Sequence, residues 1–106
     1  MSKLVDIYFV DSKTMDVKRM KVEDNLDTFY KLINTDSIEV IARNINGNIT
    51  QIICDEEGKL KRNQYISGMS DDNRETLVGN LVIKSTDPLI PLIIERYGVL
   101  VYSFRR

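Results

Sequence analysis

The chain has 106 residues, of which 42% are hydrophobic and 29% are charged, and its formal net charge is −1. This length predicts a single domain over residues 1–106, and this composition is typical of globular rather than disordered chains. The near-neutral charge gives no overall attraction to nucleic acid or to anionic lipid. It also excludes an acidic mimic of nucleic acid, which needs a large negative excess.

Histidine is absent, and cysteine occurs once, at Cys54. Catalysis by Ser-His-Asp or Cys-His groups is therefore excluded, as is a zinc site built from cysteine and histidine. A single cysteine cannot form an internal disulfide, which favours a reducing compartment. No apolar run approaches the ~20 residues of a membrane span, and Asp6 interrupts any signal-peptide core. We therefore expect a cytoplasmic protein, in the host cell if it is phage-encoded, with no membrane association and no cofactor.

The first two segments of the chain predict a hairpin. Residues 3–10 (KLVDIYFV) are apolar on both faces except at Asp6, a pattern typical of a central strand covered on both sides. Residues 16–22 (DVKRMKV) alternate between apolar and charged side chains, which indicates a strand with one wet face. A turn cluster separates the two segments, so we expect them to pair.

A short helix is predicted next, because the period of the apolar residues changes from two to 3.6. Asp24 or Asn25 is expected to cap its first turn, and Asp27 suits the positive end of the helix dipole. Asn34 is expected to end the helix in a left-handed conformation. The predicted packing face consists of Leu26, Phe29, Tyr30 and Ile33.

The middle of the chain predicts a second hairpin, over residues 37–45 and 48–54. Asn46-Gly47 lies between these alternating segments and is the strongest short-range hairpin signal. A charged turn over residues 55–59 follows, and residues 60–73 have no clear period, which predicts an ordered loop. Residues 76–84 (TLVGNLVIK) predict one further strand, in which Gly79 marks a bulge or a close backbone approach.

The C-terminal part predicts a second helix and a last strand. Asp87 is expected to be the N-cap, Pro88 the first helical residue and Gly98 the C-cap. Its predicted packing face consists of Leu92, Ile93 and Tyr97. Residues 99–104 (VLVYSF) are apolar on both faces. This segment must therefore be central or pair with another chain, and we expect a homodimer through the C-terminal strand.

The resulting order is β-β-α-β-β-loop-β-α-β. Hairpins dominate it and helices are few. It predicts an α+β fold with a mostly antiparallel sheet of five or six strands and two short helices packed on one face.

Three segments carry a resemblance to a known family: the IEV strand at Ile38–Val40, the run CDEEGKLK at Cys54–Lys61, and LVGNLVIK at Leu77–Lys84. Over roughly residues 25–84 the chain resembles domain-of-unknown-function family 3846, short proteins of bacterial phages and mobile elements. The family has a proline-containing segment where this chain has RNQY at residues 62–65. The resemblance implies no catalytic residue. It implies an accessory protein of a phage or mobile element, some of which antagonise host defence.

The densest group of basic residues follows the charged turn. Basic side chains next to an aromatic side chain can bind a phosphate or stack on a nucleobase. The simpler interpretation is a charged turn beside a packed tyrosine. The terminal arginines can dock on acidic groups of a partner or serve as a solubilising tail. The candidate ligand- or partner-binding residues are Lys59, Lys61, Arg62, Asn63, Tyr65, Arg105 and Arg106.

Two acidic clusters and the cysteine are the remaining chemical groups of interest. Residues 55–57 (DEE) and 71–72 (DD) can in principle supply oxygen ligands to Mg²⁺ or Ca²⁺. Their spacing fits no calcium loop, so solvated turns are favoured and no metal is expected. Cys54 ends an apolar strand and has no neighbour that would activate its thiol, so a buried hydrophobic role is favoured.

These observations favour a non-enzymatic binding protein that blocks a host defence protein or sequesters a small signalling nucleotide. The alternative is a small nucleic-acid-binding regulator that uses the basic residues. A metal-dependent hydrolase built on the acidic clusters is the least favoured hypothesis.

Overall fold

A computed structural model describes residues 3–45, 47–58, 66–70, 76–97 and 99–101, and it confirms the predicted α+β fold. The elements, in chain order, are β1 (Leu4–Val10), β2 (Val17–Glu23), α1 (Leu26–Ile33), β3 (Ile38–Ile45), β4 (Asn48–Asp55), β5 (Ile66–Ser70), β6 (Thr76–Val78), β7 (Leu81–Lys84), α2 (Ile90–Tyr97) and β8 (Val99–Val101).

Five strands form the larger sheet, in the order β2-β1-β7-β4-β3, and each neighbouring pair is antiparallel. The predicted hairpin of β1 and β2 is confirmed, with a register from Leu4 opposite Glu23 to Val10 opposite Val17. The predicted central strand is confirmed as well, because β1 lies between β2 and β7. Ile7 and Val10 are fully buried.

Both predicted ends of α1 are confirmed. The Asn25 side chain accepts a hydrogen bond from the Thr28 backbone amide at 2.9 Å, which satisfies one of the amides that a first helical turn leaves unpaired. Asn34 ends the helix with a φ of 64°, a left-handed conformation that asparagine tolerates well. Phe29 and Ile33 are the buried side chains of this helix, whereas Leu26 of the predicted packing face is largely exposed.

The second hairpin has the predicted two-residue loop, since Ile45 is paired with Asn48 across it. Gly47 has a φ of 85°, in the left-handed region that this kind of turn requires. The register then runs without a shift to Ile38 opposite Asp55, so β3 is an edge strand and β4 is interior.

The larger sheet is covered on both faces, and the two helices lie on opposite faces. Phe29 and Ile33 of α1 pack with Ile7, Ile53 and Val82. The other face carries the cluster that contains two side chains of α2, and its buried members are Tyr8, Val10, Ile45, Ile52, Cys54, Leu77, Leu81, Ile83, Ile90 and Ile94. The prediction that both helices pack on one face is therefore wrong. A strand that is apolar on both faces needs cover on both.

Helix α2 begins at Ile90, two residues after the predicted start. The Asp87 carboxylate accepts from the Leu89 amide at 2.9 Å, in the turn that precedes the helix, so Asp87 is not the N-cap that was predicted. The predicted packing face is wrong at Leu92, which is 61% exposed, because Ile90 and Ile94 are the side chains turned to the core. The side chain of Tyr97, and the predicted cap at Gly98, lie outside the described residues.

Three short strands form a smaller sheet in the order β6-β5-β8. Two predictions fail here. The loop expected over residues 60–73 contains β5, and the single strand expected over residues 76–84 is divided into β6 and β7, which belong to different sheets. Gly79 takes a φ of 85° at the break, so the chain turns there and does not merely bulge.

The last described strand, β8, pairs with β5 in parallel, and it also approaches β3. The predicted strand over residues 99–104 is thus confirmed as far as Val101, at an edge of the smaller sheet, and its remainder lies outside the described residues. Within the described part of the chain, no helix is long and apolar enough to cross a membrane.

Candidate functional site

The turn that precedes the candidate basic residues is fixed by hydrogen bonds to the linker between α1 and β3. The Asp55 carboxylate accepts from the Thr35 hydroxyl at 3.2 Å and from the Glu57 amide at 2.9 Å. The Ser37 hydroxyl donates to the Glu56 carboxylate at 2.6 Å, and the Glu56 amide donates to the Ser37 carbonyl at 3.0 Å. The chain therefore leaves β4 along a defined path.

The two described residues that flank residues 59–65 lie against the same residue, Val78 of β6. A Cβ atom added to Gly58 would lie 3.0 Å from the Val78 carbonyl oxygen, so the two backbones are in close contact. Ile66, at the other end, is the ladder partner of Val78. We call this group of Gly58, Ile66 and Val78 the Val78 junction. A segment whose ends meet in this way is closed at its base, as in compact surface loops.

A buried serine stabilises the junction from inside the smaller sheet. Ser67 is the extra residue of a β-bulge, since Ile66 is opposite Val78 while Gly68 is opposite Leu77. Its hydroxyl lies 2.7 Å from the Gly79 carbonyl oxygen and 3.2 Å from that of Leu77. The single hydroxyl proton is thus shared by the two carbonyls on either side of Val78, and the shorter distance is to Gly79.

Beside the junction lies a small pocket of about 140 Å³ between the hairpin β3–β4 and β6. Carboxylates dominate its polar lining and aliphatic side chains the rest. Such a pocket suits a small group that carries positive charge on an apolar stem. The lining residues are Glu39, Ile41, Cys54, Asp55, Glu56, Thr76, Leu77 and Val78.

Cys54 forms part of this pocket wall and is buried, as predicted. Its thiol lies 3.8 Å from the Glu39 carbonyl oxygen and 3.9 Å from the Glu39 carboxylate. Both neighbours are acceptors, and a carboxylate does not favour the thiolate that a reactive cysteine requires. The arrangement supports the packing role.

All seven candidate residues predicted from the sequence lie outside the described residues, so the structure reports the places from which they extend. Lys59, Lys61, Arg62, Asn63 and Tyr65 belong to the segment between the two ends at the Val78 junction. Arg105 and Arg106 follow Val101, which is paired with Ser70 at the far end of β5 from Ile66. Ile66 and Ser70, the two ends of β5 from which these segments extend, are thus roughly 13 Å apart along the strand.

The acidic clusters have different environments. Glu56 and Glu57 are exposed, as expected for a solvated turn, but Asp55 is 8% exposed and hydrogen-bonded, so that expectation is wrong for Asp55. The described residues contain no group of three or more side chains that could hold a metal ion. Asp71 and Asp72 lie outside those residues.

Sequence reasoning missed Ser67 and Val78, which hold the base of the candidate segment. No motif marks either residue, because their roles depend on a bulge and on contacts between segments distant along the chain. Comparison with protein-family models, with curated proteins and with solved structures finds no match to this chain.

Proposed function

We propose that this chain is a non-enzymatic accessory protein of a phage or mobile element that inhibits host defence by binding. It blocks a host protein or sequesters a signalling nucleotide, and residues 59–65 form the binding segment. The proposed origin in a phage or mobile element rests on the resemblance to family 3846. The binding mode comes from the absence of histidine and from the cluster of bases beside Tyr65.

The observation that carries the proposal is the closure of this segment at the Val78 junction. The described residues on either side of this segment, Gly58 and Ile66, both lie against Val78, which supports a binding loop anchored at its two ends. Anchored ends lower the entropy that ordering a loop costs on binding. The acidic, partly apolar pocket beside the junction adds a complementary surface for a partner that has basic side chains.

The test is capture of partners from a bacterial lysate on immobilised protein, with mass spectrometry of retained proteins and of small molecules released by heating. The variant for comparison reverses Lys61 and Arg62 to glutamate. The matched control reverses Lys18 and Lys21 to glutamate on the exposed strand β2. We expect a protein or nucleotide that the wild type and the control retain and that the first variant loses.

Two results would contradict the proposal. One is the absence of any retained protein or released nucleotide. The other is equal retention by the first variant and by the wild type, which would place binding elsewhere on the surface. Circular dichroism of each variant establishes that both remain folded.

The second candidate is a nucleic-acid-binding regulator. Exposed bases on edge strand β2, namely Lys18, Arg19 and Lys21, favour it by adding to the basic candidates of residues 59–65. Contact with several phosphates makes the binding constant fall steeply with salt concentration. Fluorescence anisotropy with labelled single-stranded and double-stranded oligonucleotides at low salt tests this. An unchanged anisotropy at high protein concentration would eliminate it.

A further inference from the structure

The two edges of the larger sheet differ in chemistry. Strand β2 exposes four charged side chains along its seven residues, three of them basic, as is common for edges that must not pair with another chain. Strand β3 has eight residues (IEVIARNI) with no lysine, proline or glycine, and Val40 at its middle is 54% exposed. By these criteria β3 is the edge that is open to a further strand.

The two-residue loop indicates which backbone groups of β3 face outward. The pair that closes such a loop, Ile45 and Asn48, is hydrogen-bonded, and hydrogen-bonded pairs alternate along an antiparallel ladder. The odd-numbered residues of β3 thus bond to β4, and the even-numbered ones face the edge. In agreement, the Ala42 carbonyl accepts a bond from its neighbour's side chain, Arg43 Nη1, at 2.7 Å.

The sequence of β3 is complementary to itself. When two antiparallel copies are related by a two-fold axis perpendicular to the sheet, paired residues share a face, so their numbers differ by an even number. With the axis at Ile41, Glu39 lies opposite Arg43 of the second copy, and Val40 lies opposite Ala42. With the axis at Val40, Glu39 faces Ile41 and Arg43 lies opposite Ser37, beyond the end of the strand. With the axis at Ala42, Glu39 faces Ile45 and Arg43 faces Ile41.

We propose that this protein forms a two-fold dimer through β3, centred on Ile41, in which two Glu39–Arg43 ion pairs join two five-stranded sheets into one of ten strands. Val40 and Ala42 of both copies then meet on the face that carries α1. This contact covers the aliphatic side chain that one chain leaves exposed. The Val40 amide of the second copy takes the place of the Arg43 guanidinium at the Ala42 carbonyl.

The Glu39–Arg43 pair falls at a non-hydrogen-bonded position of this new ladder, where Cα atoms are about 4.5 Å apart and side chains are closest. Such a position favours a cross-strand pair of opposite charges. Strand β8 approaches β3, but its ladder partner is β5, and β4 is the one ladder partner that β3 has among the described residues.

The test is sedimentation velocity of the full chain over a wide concentration range, with Glu39→Arg, Arg43→Glu and the double variant. Wild type is expected to approach twice the 12.3 kDa mass of one chain as concentration rises. Each single reversal replaces both ion pairs by like-charge pairs, and we expect it to raise the dissociation constant at least about tenfold. The double variant restores both pairs and is expected to dimerise like the wild type.

Mixing the two single variants gives a sharper result. One chain then carries two arginines at its edge and the other two glutamates, so each is expected to be monomeric alone and to form a heterodimer on mixing. Lys21→Glu on the opposite edge is the matched control and is expected to dimerise normally. Circular dichroism identifies any variant that fails to fold.

Three outcomes would overturn the proposal. They are a wild type that stays monomeric at the highest concentration, a dimer unchanged by either single reversal, and single variants that do not associate on mixing. The second outcome is the one expected for a dimer through the C-terminal strand. None of these measurements requires the binding partner, so they are independent of the proposed function.

Discussion

Replacement of Ser67 by alanine should destabilise the fold well beyond the loss of one surface hydroxyl. The side chain is 2% exposed, and its oxygen lies 2.7 Å from the Gly79 carbonyl oxygen and 3.2 Å from that of Leu77. Alanine removes the one hydroxyl proton that these two buried acceptors share. The cost of a buried group left unsatisfied is about 1–3 kcal/mol.

Urea unfolding followed by circular dichroism measures this cost, and thermal unfolding should show a fall in Tm of roughly 4–5 °C for each kcal/mol. Ser85→Ala is the matched control, because Ser85 is only half-buried and its hydroxyl accepts one bond, from the Asp87 amide. We expect the control to change stability by less than about 0.5 kcal/mol. Equal unfolding free energies for Ser67→Ala and the wild type would refute the role given to this hydroxyl.

Urea unfolding also tests three further predictions. Ile90→Ala should lower the free energy of unfolding by about 2–5 kcal/mol, because Ile90 is 1% exposed. Leu92→Ala should lower it by less than about 0.5 kcal/mol, because Leu92 is 61% exposed. Equal losses would contradict the assigned packing face. Asn25→Ala removes the cap of α1 and should cost about 0.5–2 kcal/mol, with Asn25→Asp as the control that keeps a capping oxygen. Tyr8→Phe removes the hydrogen bond from the phenol to the Asp87 carbonyl, which still accepts from the Ile90 amide. The free energy of unfolding should therefore fall by only about 0.5–1.5 kcal/mol. A larger fall would indicate a change in packing.

The parts of the fold that the sequence predicts well are those set by neighbouring residues. Asn25 caps α1 through an amide three residues away, and Asn34 ends the helix through its own φ. Gly47 supplies a left-handed conformation within a two-residue loop. Each of these features needs few partners, so propensity and spacing are sufficient to place it.

The failures lie where a distant contact decides between two local choices. The break between β6 and β7 depends on Gly79, whose carbonyl is held by Ser67, and on Asn80, whose side chain accepts from the Ser12 amide at 3.0 Å. Neither partner is near in sequence, so residues 76–84 have the pattern of one strand. Strand β5 was missed because the bulge at Ser67 disrupts the alternation by which a strand is identified.

The candidate site could be predicted only as a group of neighbouring residues. The sequence shows that the basic residues of 59–65 are near one another along the chain. It does not indicate that Gly58 and Ile66 both contact Val78. Glu39, which contributes a carboxylate to the pocket beside the junction, was not a candidate at all. It is 15 residues from Cys54 in sequence, and the hairpin register alone makes them neighbours.

Binding and folding of the chain can be measured separately. The described side chains of the two buried clusters come from the larger sheet and the helices, with Leu77 as the contribution of the smaller sheet. Ser67 lies at the base of the segment, so the cost of changing it falls on the Val78 junction. A variant of Lys61 and Arg62 that loses its partner while it unfolds at the wild-type urea concentration would thus report on the binding surface itself.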